Sequence, residues 1–396
     1  MQAVLDRWIE QGYFPAWMPA QVVYALGLLL VAAVVIFVFV LVVAGATTFV
    51  ERRVWARIQS RVGPNRVGPQ GILQWLADGI KLLLKEDIVP EMADPRLFRL
   101  APYVAVIGFL AAFVVVPFSG NLIVADLNVG ILYLTAVTSL VVLGILMAGW
   151  SSNNKWSLFG GIRSAAQIVS YEIPAALSIF PIVLITGTLS MQGIIRAQGW
   201  APWEWFVFYN PFTFSAFFIL YTALLAEGNR TPFDLPEADT ELVAGFVTEY
   251  SGARYMFFFL VEWGNLYVIS AVMVTLFLGG WQVPRVTENA VILNLLQFLT
   301  FFLKAYFGVV LAMWVRATLP RIRVDQMMTT CWKYLVPLAF LNLVGTAVWV
   351  VIFPDGSRVM RALMTLAGAA LVGYFLLRVR FHFKRSRAEL MWSPFA

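Results

Sequence analysis

The chain has 396 residues, of which 61% are hydrophobic and 13% charged, and its formal net charge is +6. Soluble domains carry about 25% charged and about 45–50% apolar residues, so this composition excludes a soluble protein and predicts an integral membrane protein whose basic residues serve topology, not nucleic-acid binding. A single cysteine, Cys331, excludes an internal disulfide framework and an iron–sulfur cluster, which takes about four cysteine ligands.

The first predicted element is an interfacial segment at residues 1–21. It carries Asp6, Arg7 and Glu10 together with Trp and Tyr side chains, which favour the membrane surface. This pattern differs from the basic n-region of a cleavable signal peptide. We therefore predict a lead-in to the first span and no cleavable signal.

Nine apolar segments follow, each near the length of about 20 residues that a membrane-spanning helix needs. They lie at 22–50, 100–118, 129–150, 165–189, 211–227, 255–281, 291–315, 334–353 and 361–378. The predicted fold is all-α, a polytopic membrane helix bundle of about nine transmembrane helices. We predict that residues 22–353 form one membrane domain with eight spans, and that residues 354–396 add a C-terminal transmembrane helix and a basic tail.

Lys and Arg concentrate after the odd-numbered spans and in this tail. This distribution predicts an N-terminus outside and a cytoplasmic C-terminus.

The loop after the first span, residues 51–99, contains more arginines and turn-forming Gly-Pro pairs than membrane anchoring requires. Arg53, Arg57 and Arg61 are spaced to share one helical face. Two Gly-Pro pairs, in "GPNRVGP", then end the helix and force turns. From 72 to 86 leucines and isoleucines share one face and charged residues the other, which predicts an amphipathic helix on the cytoplasmic side. Anchoring charge alone remains the alternative interpretation.

The loop after the fifth span, residues 227–254, is acidic where topology favours basic residues. Its carboxylates are interleaved with large apolar residues such as Phe233, Leu242 and Phe246. A solvated acidic surface is one interpretation, but this apolar setting favours partial burial. Buried carboxylates that repel one another should have raised pKa values, and such groups hold and pass protons.

Three charged residues lie inside predicted spans: Glu172, Glu262 and Lys304. A charge at the bilayer centre costs about 2.5–3.5 kcal/mol on insertion scales, and it marks a functional site by default. The alternative is an ion pair or hydrogen bond that only fixes helix packing. We favour function for the two glutamates and weigh the two interpretations equally for Lys304.

Several segments together resemble one family, the H subunit of proton-translocating NADH:quinone oxidoreductase, respiratory complex I. They are "ERRVWARIQSRVGPNRVGPQGILQ", "GGIRSAAQIVSYEIP", "AEGNRTPFDLPEADTELVAGFVTEYSG" and "VRATLPRIRVDQMM". The resemblance runs in unbroken order from about residue 22 to 353. It implies a multi-pass subunit of a bacterial plasma (inner) membrane, whose cytoplasmic loops complete a quinone-binding chamber with the hydrophilic arm.

The resemblance also implies partners and cofactors. Partners are the hydrophilic quinone-module subunits, the antiporter-like and small membrane subunits, quinone as substrate and membrane lipid. Iron–sulfur clusters and FMN belong to partner subunits, and this chain binds no cofactor and no metal directly. A single Cys, a single His and the absence of GxGxxG or GxxxxGK[ST] patterns fit that division.

Functional positions carry over residue by residue from the resemblance. Near the quinone site and chamber it implies Glu51, Arg52, Arg61, Arg66, Asp78 and Lys81. For proton coupling it implies Glu172, Glu227, Asp234, Glu237, Glu241, Glu249 and Glu262. No covalent catalysis by this chain is implied.

Three positions depart from the family pattern. Trp75 stands where Pro is usual, Gly79 where Ala is common, and Val324 where Tyr is usual. The first two put the width of the quinone path in question, and the third affects local packing.

Two alternative functions stay open: the equivalent subunit of a membrane-bound hydrogenase or of a ferredoxin- or deazaflavin-linked dehydrogenase, and a stand-alone secondary ion transporter. The latter predicts paired inverted repeats, which the sequence does not display.

Overall fold

The computed structural model describes residues 20–236, 239–284, 289–354 and 356–391. Within those ranges the chain is built of helices and loops, without strands. Ten longer helices follow one another, and they are α1 Ala20–Ile58, α2 Gln74–Leu84, α3 Pro95–Ala112, α4 Gly130–Ser151, α5 Lys155–Thr186, α6 Pro211–Glu227, α7 Gly252–Phe277, α8 Ala290–Thr318, α9 Val336–Ile352 and α10 Arg358–Met391.

Nine of these helices correspond to the nine predicted spans, which confirms the all-α polytopic fold. Within the described ranges, eight helical segments are long and apolar enough to cross a membrane. Helix α6 is apolar but has 17 residues. At about 1.5 Å per residue it covers roughly 25 Å, just short of the hydrocarbon core. The interfacial segment predicted for 1–21 lies almost wholly outside the described residues.

Polar side chains at the ends of the apolar runs define where several helices begin. The Asp94 carboxylate accepts hydrogen bonds from the backbone N–H groups of Arg96 and Leu97, at the start of α3. Asn154 caps α5 in the same way. Such caps satisfy N–H groups that have no partner inside the helix, and each contributes about 1 kcal/mol.

The end of α1 corrects one prediction. The helix stops at Ile58, so Arg61 does not share a helical face with Arg53 and Arg57. Ser60 adopts a left-handed conformation (φ 55°), and the Arg61 N–H bonds back to the Ala56 carbonyl. This is a Schellman-type termination, which closes the helix before the first Gly-Pro pair. A single turn, Pro69–Gly71, then leads to α2, close to the predicted amphipathic helix.

Helix α7 is the central element of the bundle. Of its most apolar stretch, 78% is buried, against 6% for α10 at the periphery. Helix α7 lies against α1, α2, α3, α6 and α8. Gly264 permits its close approach to α3, because a Cβ there would overlap the Phe109 ring. The central position matters because α7 carries Glu262.

Candidate functional site

A buried cluster of charges lies at one end of the bundle. Its members are Glu51 on α1, Arg230 in the loop after α6, Glu262 on α7 and Arg316 on α8. The Nη1 atom of Arg230 lies 3.1 Å from Oε1 of Glu262 and 3.9 Å from Oε2 of Glu51. Arg316 donates from Nη1 to Oε1 of Glu51 at 2.7 Å. The side chains of Arg230 and Glu51 are only 2% and 5% exposed, so these ions are almost fully removed from water.

Aromatic rings and backbone carbonyls hold the two guanidinium groups. Arg230 stacks over Trp263 at 4.4 Å from the ring centroid and donates to the backbone oxygen of Glu262. Arg316 stacks over Trp55 at 5.0 Å. Oε2 of Glu51 and Nε of Arg230 have no hydrogen-bond partner within the described part of the chain. A buried ion that is only partly satisfied responds strongly to any new charge nearby.

Asp234 and Arg321 extend this cluster toward the loops. Nη2 of Arg321 lies 3.1 Å from Oδ2 of Asp234, and the Ile322 N–H donates to the carbonyl of Pro232. The loop after α6 is thereby fixed to the segment that follows α8. Burial raises the pKa of Asp234 despite the opposing effect of Arg321, as predicted for a partly buried acid of this loop.

In the other direction, Asn265 and Glu227 extend the site from Glu262 into the membrane. Glu262 is followed one helical turn later by Asn265 on α7. Glu227, Glu262, Asn229 and Asn265 border a narrow cavity of about 30 Å³. A further small cavity is bordered by Glu227, Asn265 and Thr138 of α4. Glu227 and Asn265 are thus common to successive cavities between the helices.

The third cavity is the largest of this set, about 500 Å³, and its wall is mainly apolar. Glu172, Glu227, Asn265 and Ser139 supply polar groups to it. The Ser139 hydroxyl donates to Oε1 of Glu172 at 2.9 Å. These side chains therefore form one row. It runs from Glu51 through Arg230 to Glu262, and then past Asn265 to Glu227 and Glu172. Side chains in such a row can relay protons if water enters the intervening cavities.

The residues predicted for the first loop divide into two groups. Glu51 belongs to the buried cluster, whereas Arg52, the next residue of α1, pairs with Asp78 of α2 at 2.6 Å. Lys81 lies 3.7 Å from the same carboxylate. Arg61 donates to the Gln59 side chain and Arg66 is exposed, both away from the cluster.

The amphipathic helix α2 turns an apolar face outward. Leu76 and Ile80 are exposed, and an open cleft of about 640 Å³ is lined by Ala77, Ile80, Lys81, Leu84 and Lys85. Trp75 anchors the helix from the inside, because its ring packs onto Gly45 of α1. The Arg52–Asp78 pair adds a second attachment, so the apolar face is held at a fixed distance from α1.

Two predicted coupling residues lie outside the buried row. Glu241 accepts from Arg163 at 2.7 Å, and its side chain is half exposed. Glu249 accepts from the side-chain amide of Asn154 at 2.6 Å. Glu237 lies outside the described residues.

Lys304 of α8 contacts the C-terminal end of α7, away from Glu262. Its ammonium group donates to the carbonyls of Leu278 and Gly280 at 2.8 Å and 3.1 Å, and it lies over the Trp205 ring. A cation at a helix C-terminus satisfies free carbonyls and complements the helix dipole. These contacts favour the packing interpretation for Lys304.

Sequence reasoning missed Arg316, Arg321 and Asn265 and gave Arg230 no role. Arg230 is the one cation amid the acids between 227 and 249, which is a usable signal for a buried counter-ion. Asn265 is a lone amide in an apolar span, and it could have been found by the rule that exposes Glu262. Among the described residues, no three His, Cys, Asp or Glu side chains come together as a metal-binding group.

Comparisons with known proteins agree on one family. The family model for NADH dehydrogenase matches residues 30–347. The H subunit of the NADH-quinone oxidoreductase of Anaeromyxobacter dehalogenans is 52% identical over 393 residues, covering 95% of this chain and 93% of that protein. The corresponding H subunits of Dehalococcoides mccartyi and Chlorobium luteolum are 47% and 44% identical, and they cover 89% and 88% of this chain and 95% of each relative.

Proposed function

Because the chain belongs to the H-subunit family of NADH-quinone oxidoreductases, and is therefore a multi-pass membrane subunit of complex I, we propose that it completes the quinone-binding chamber and couples quinone reduction to proton translocation. The row of buried and partly buried ionisable groups from Glu51 to Glu172 carries this proposal. A subunit that served only as a scaffold would have no need for charges at such cost in free energy.

The chamber end of the proposal rests on α2 and the first loop. An apolar face suits an isoprenoid quinone tail, and the Arg52–Asp78–Lys81 group places polar side chains beside it. The hydrophilic subunits would close this cleft from the other side. Their iron–sulfur clusters and FMN supply the electrons, so this chain orients quinone and excludes water.

The coupling end follows from electrostatics. Reduction of quinone leaves negative charge in a low-dielectric chamber, where Coulomb interactions are several times stronger than in water. Arg230 and Arg316 already balance Glu51 and Glu262, so added negative charge or its neutralising protons change the preferred protonation state of this cluster. The carboxylates beyond it titrate as a coupled set, because each ionisation changes its neighbours.

From Glu262 the change passes to Glu227 and then to Glu172 along the cavities that Asn265 borders. Neighbouring membrane subunits, antiporter-like and small, would receive it beyond Glu172 and move protons. In this proposal Asp234 links the cluster to the loops, and Glu241 and Glu249 help to fix the loop that carries Arg230. The bundle end with the charge cluster faces the cytoplasm of a bacterial cell, with the N-terminus outside.

The alternatives have less support. The relatives reported above are all NADH-quinone oxidoreductase subunits at 44–52% identity, which favours the quinone enzyme over a hydrogenase or a ferredoxin-linked dehydrogenase. A stand-alone transporter would be active when purified alone. The family membership of this chain favours activity only within a complex.

Substitution of Glu172 tests the proposal. Glu172→Gln keeps the shape and the contact with Ser139 but removes the titratable group. We expect proton translocation and the coupled quinone reductase rate to fall while the complex still assembles. Asp126→Asn is the matched control, since Asp126 is an exposed carboxylate that accepts from Ser190 at the other end of the bundle. Wild-type rates of both reactions in Glu172→Gln would refute a role in coupling.

A further inference from the structure

Helix α10 forms a groove that the functional site does not use. It lies beyond residues 30–347, the part of the chain that matches the family. Its first turns pack on the loop between α5 and α6: Gly368 meets the Phe208 ring so closely that a Cβ there would overlap it. This contact is at the end of the bundle opposite the Glu51–Arg230 cluster, because α5 and α9 each run between the two ends.

The groove has a volume of about 550 Å³ and is bordered by both elements. Trp203 and Glu204 border it on the loop side. On α10 it is lined by one helical face, residues Arg358, Arg361, Ala362, Thr365 and Leu366. The polar side chains stand at the start of this face and the less polar ones follow along the helix. This order matches the path from a membrane surface into the lipid.

Two guanidinium groups, those of Arg358 and Arg361, lie at the mouth of the groove. Arg361 lies over the Tyr209 ring at 4.8 Å from the centroid, and Tyr209 is buried, so the Arg361 side chain is fixed in place. Within the described residues, neither Arg358 nor Arg361 forms an ion pair. A phosphate group can accept charge-assisted hydrogen bonds from both arginines.

The same mouth contains one carboxylate and two exposed indoles. Glu204 is exposed and its carboxylate lies against Gly199, where any Cβ would overlap it. Trp200 and Trp203 are exposed, with ring centroids 6.4 Å apart. Exposed tryptophans at the end of a membrane bundle mark the headgroup level. A ligand at this level that satisfies both charges has a phosphate for the arginines and an ammonium group for Glu204.

We propose that the groove between Trp203–Glu204 and the first turns of α10 binds a phospholipid with an ammonium headgroup, of the phosphatidylethanolamine class. The phosphate lies between Arg358 and Arg361, the ammonium group faces Glu204, and an acyl chain runs along Ala362, Thr365 and Leu366. The bound lipid fills the space between α10 and the loop that joins α5 to α6, and it fixes this peripheral helix on the bundle. The inference does not depend on the coupling role of the acids.

The test uses the intact complex in mixed detergent–lipid micelles with a phosphatidylethanolamine that carries a photoactivatable acyl chain. Labelling of peptides from 200–210 and 358–368 is measured against lipid concentration. We expect saturable labelling in the wild type, and roughly thirtyfold weaker apparent affinity in Arg358→Gln/Arg361→Gln, from the loss of two arginine contacts. Arg378→Gln is the matched control, an exposed arginine at the other end of α10. It should label like the wild type.

Competition on the wild-type complex separates the possible sources of the phosphate, and the variant Glu204→Gln then tests the headgroup preference. Unlabelled phosphatidylethanolamine should displace the probe, whereas inorganic phosphate at equal concentration should not, and phosphatidylglycerol should compete less well until Glu204→Gln removes the preference. Three results would overturn the proposal: labelling that does not saturate, labelling that inorganic phosphate abolishes, and labelling whose apparent affinity is unchanged when both arginines are replaced. So would crosslinks from these peptides to another subunit, because the groove would then be covered by protein.

Discussion

Arg230 determines the electrostatics of the buried cluster, because its guanidinium lies between two carboxylates from different helices. Its neighbours are Glu51 at 3.9 Å and Glu262 at 3.1 Å, and its own side chain is 2% exposed. Arg230 and Glu51 are buried and Glu262 is partly buried, so these ions bear a desolvation cost that their mutual attraction offsets only while all are present. This makes the cluster sensitive to a change of a single charge.

Removal of that cation should therefore destabilise the assembled subunit. Arg230→Met leaves Glu262 without its cation and Glu51 with Arg316 alone. Breaking a buried pair in this way costs about 3–5 kcal/mol. Heat inactivation of the purified complex should shift to a markedly lower midpoint. Arg66→Met, at an exposed position, is the control for loss of an arginine and should shift it little. Addition of Glu262→Gln to Arg230→Met should restore part of the loss. If the double variant is as unstable as the single one, the two side chains are not coupled.

Titration of Asp234 should make the stability of the folded protein depend on pH in a definite direction. Burial raises its pKa, so its contribution to stability is complete below the unfolded-state pKa of about 3.9 and is lost as pH rises through the folded-state value. Asp234→Asn cannot ionise and escapes this loss. Relative to the wild type, the thermal midpoint of the variant should rise as the pH is raised from about 4 to about 7. A relative midpoint that falls with pH would mean that the ionic attraction of Arg321 outweighs burial.

At this scale the sequence predicts which residues are unusual but not which of them meet. Glu172 and Glu262 are evident because ionisable groups in apolar spans are costly. Glu51 and Arg316 are far apart in the chain, and only the packing of α1 against α8 brings them to 2.7 Å. The resemblance places Glu241 among the proton-coupling acids, and only the structure shows that its partner is Arg163, outside the buried row.

Among the elements, α2 shows how one aromatic side chain attaches an amphipathic helix to the bundle. Gly45 of α1 provides the flat surface on which the Trp75 ring packs. The amphipathic pattern predicted the helix and its apolar face, since those depend on local periodicity. The attachment to α1 was not predictable, because it depends on a glycine in another helix.

Two glycine substitutions test this attachment. In Gly45→Ala the new methyl group overlaps the Trp75 ring, so α2 should separate from α1, lose protection from hydrogen exchange and raise the KM for quinone. Gly79→Ala is the matched control on α2 itself, because a Cβ there meets nothing within 4 Å. It should keep or increase protection, since Ala favours a helix by up to about 1 kcal/mol over Gly. Equal protection of α2 in both variants would exclude the packing role of Trp75.

Across the described part of the chain, the order of the apolar helices followed from hydropathy, because each helix must satisfy its backbone within itself. The arrangement of the helices around α7 did not follow, since helix packing in lipid depends on small residues and shape. That arrangement determines function in this account. It aligns Glu51, Arg230 and Glu262 at one end of the bundle and continues through Asn265 to Glu227 and Glu172.

Asn265 offers the most direct test of that continuity, because it borders the cavities between these acids and carries no charge itself. Asn265→Leu leaves every carboxylate in place and replaces the polar link with an apolar group. The measurement is protons translocated per NADH oxidised in membrane vesicles, with Asn342→Leu as control, a buried asparagine of α9 that bonds Ser215. We predict a large fall in this ratio for Asn265→Leu and an unchanged ratio for Asn342→Leu. Normal proton translocation in this variant would contradict a proton-coupling path through these cavities.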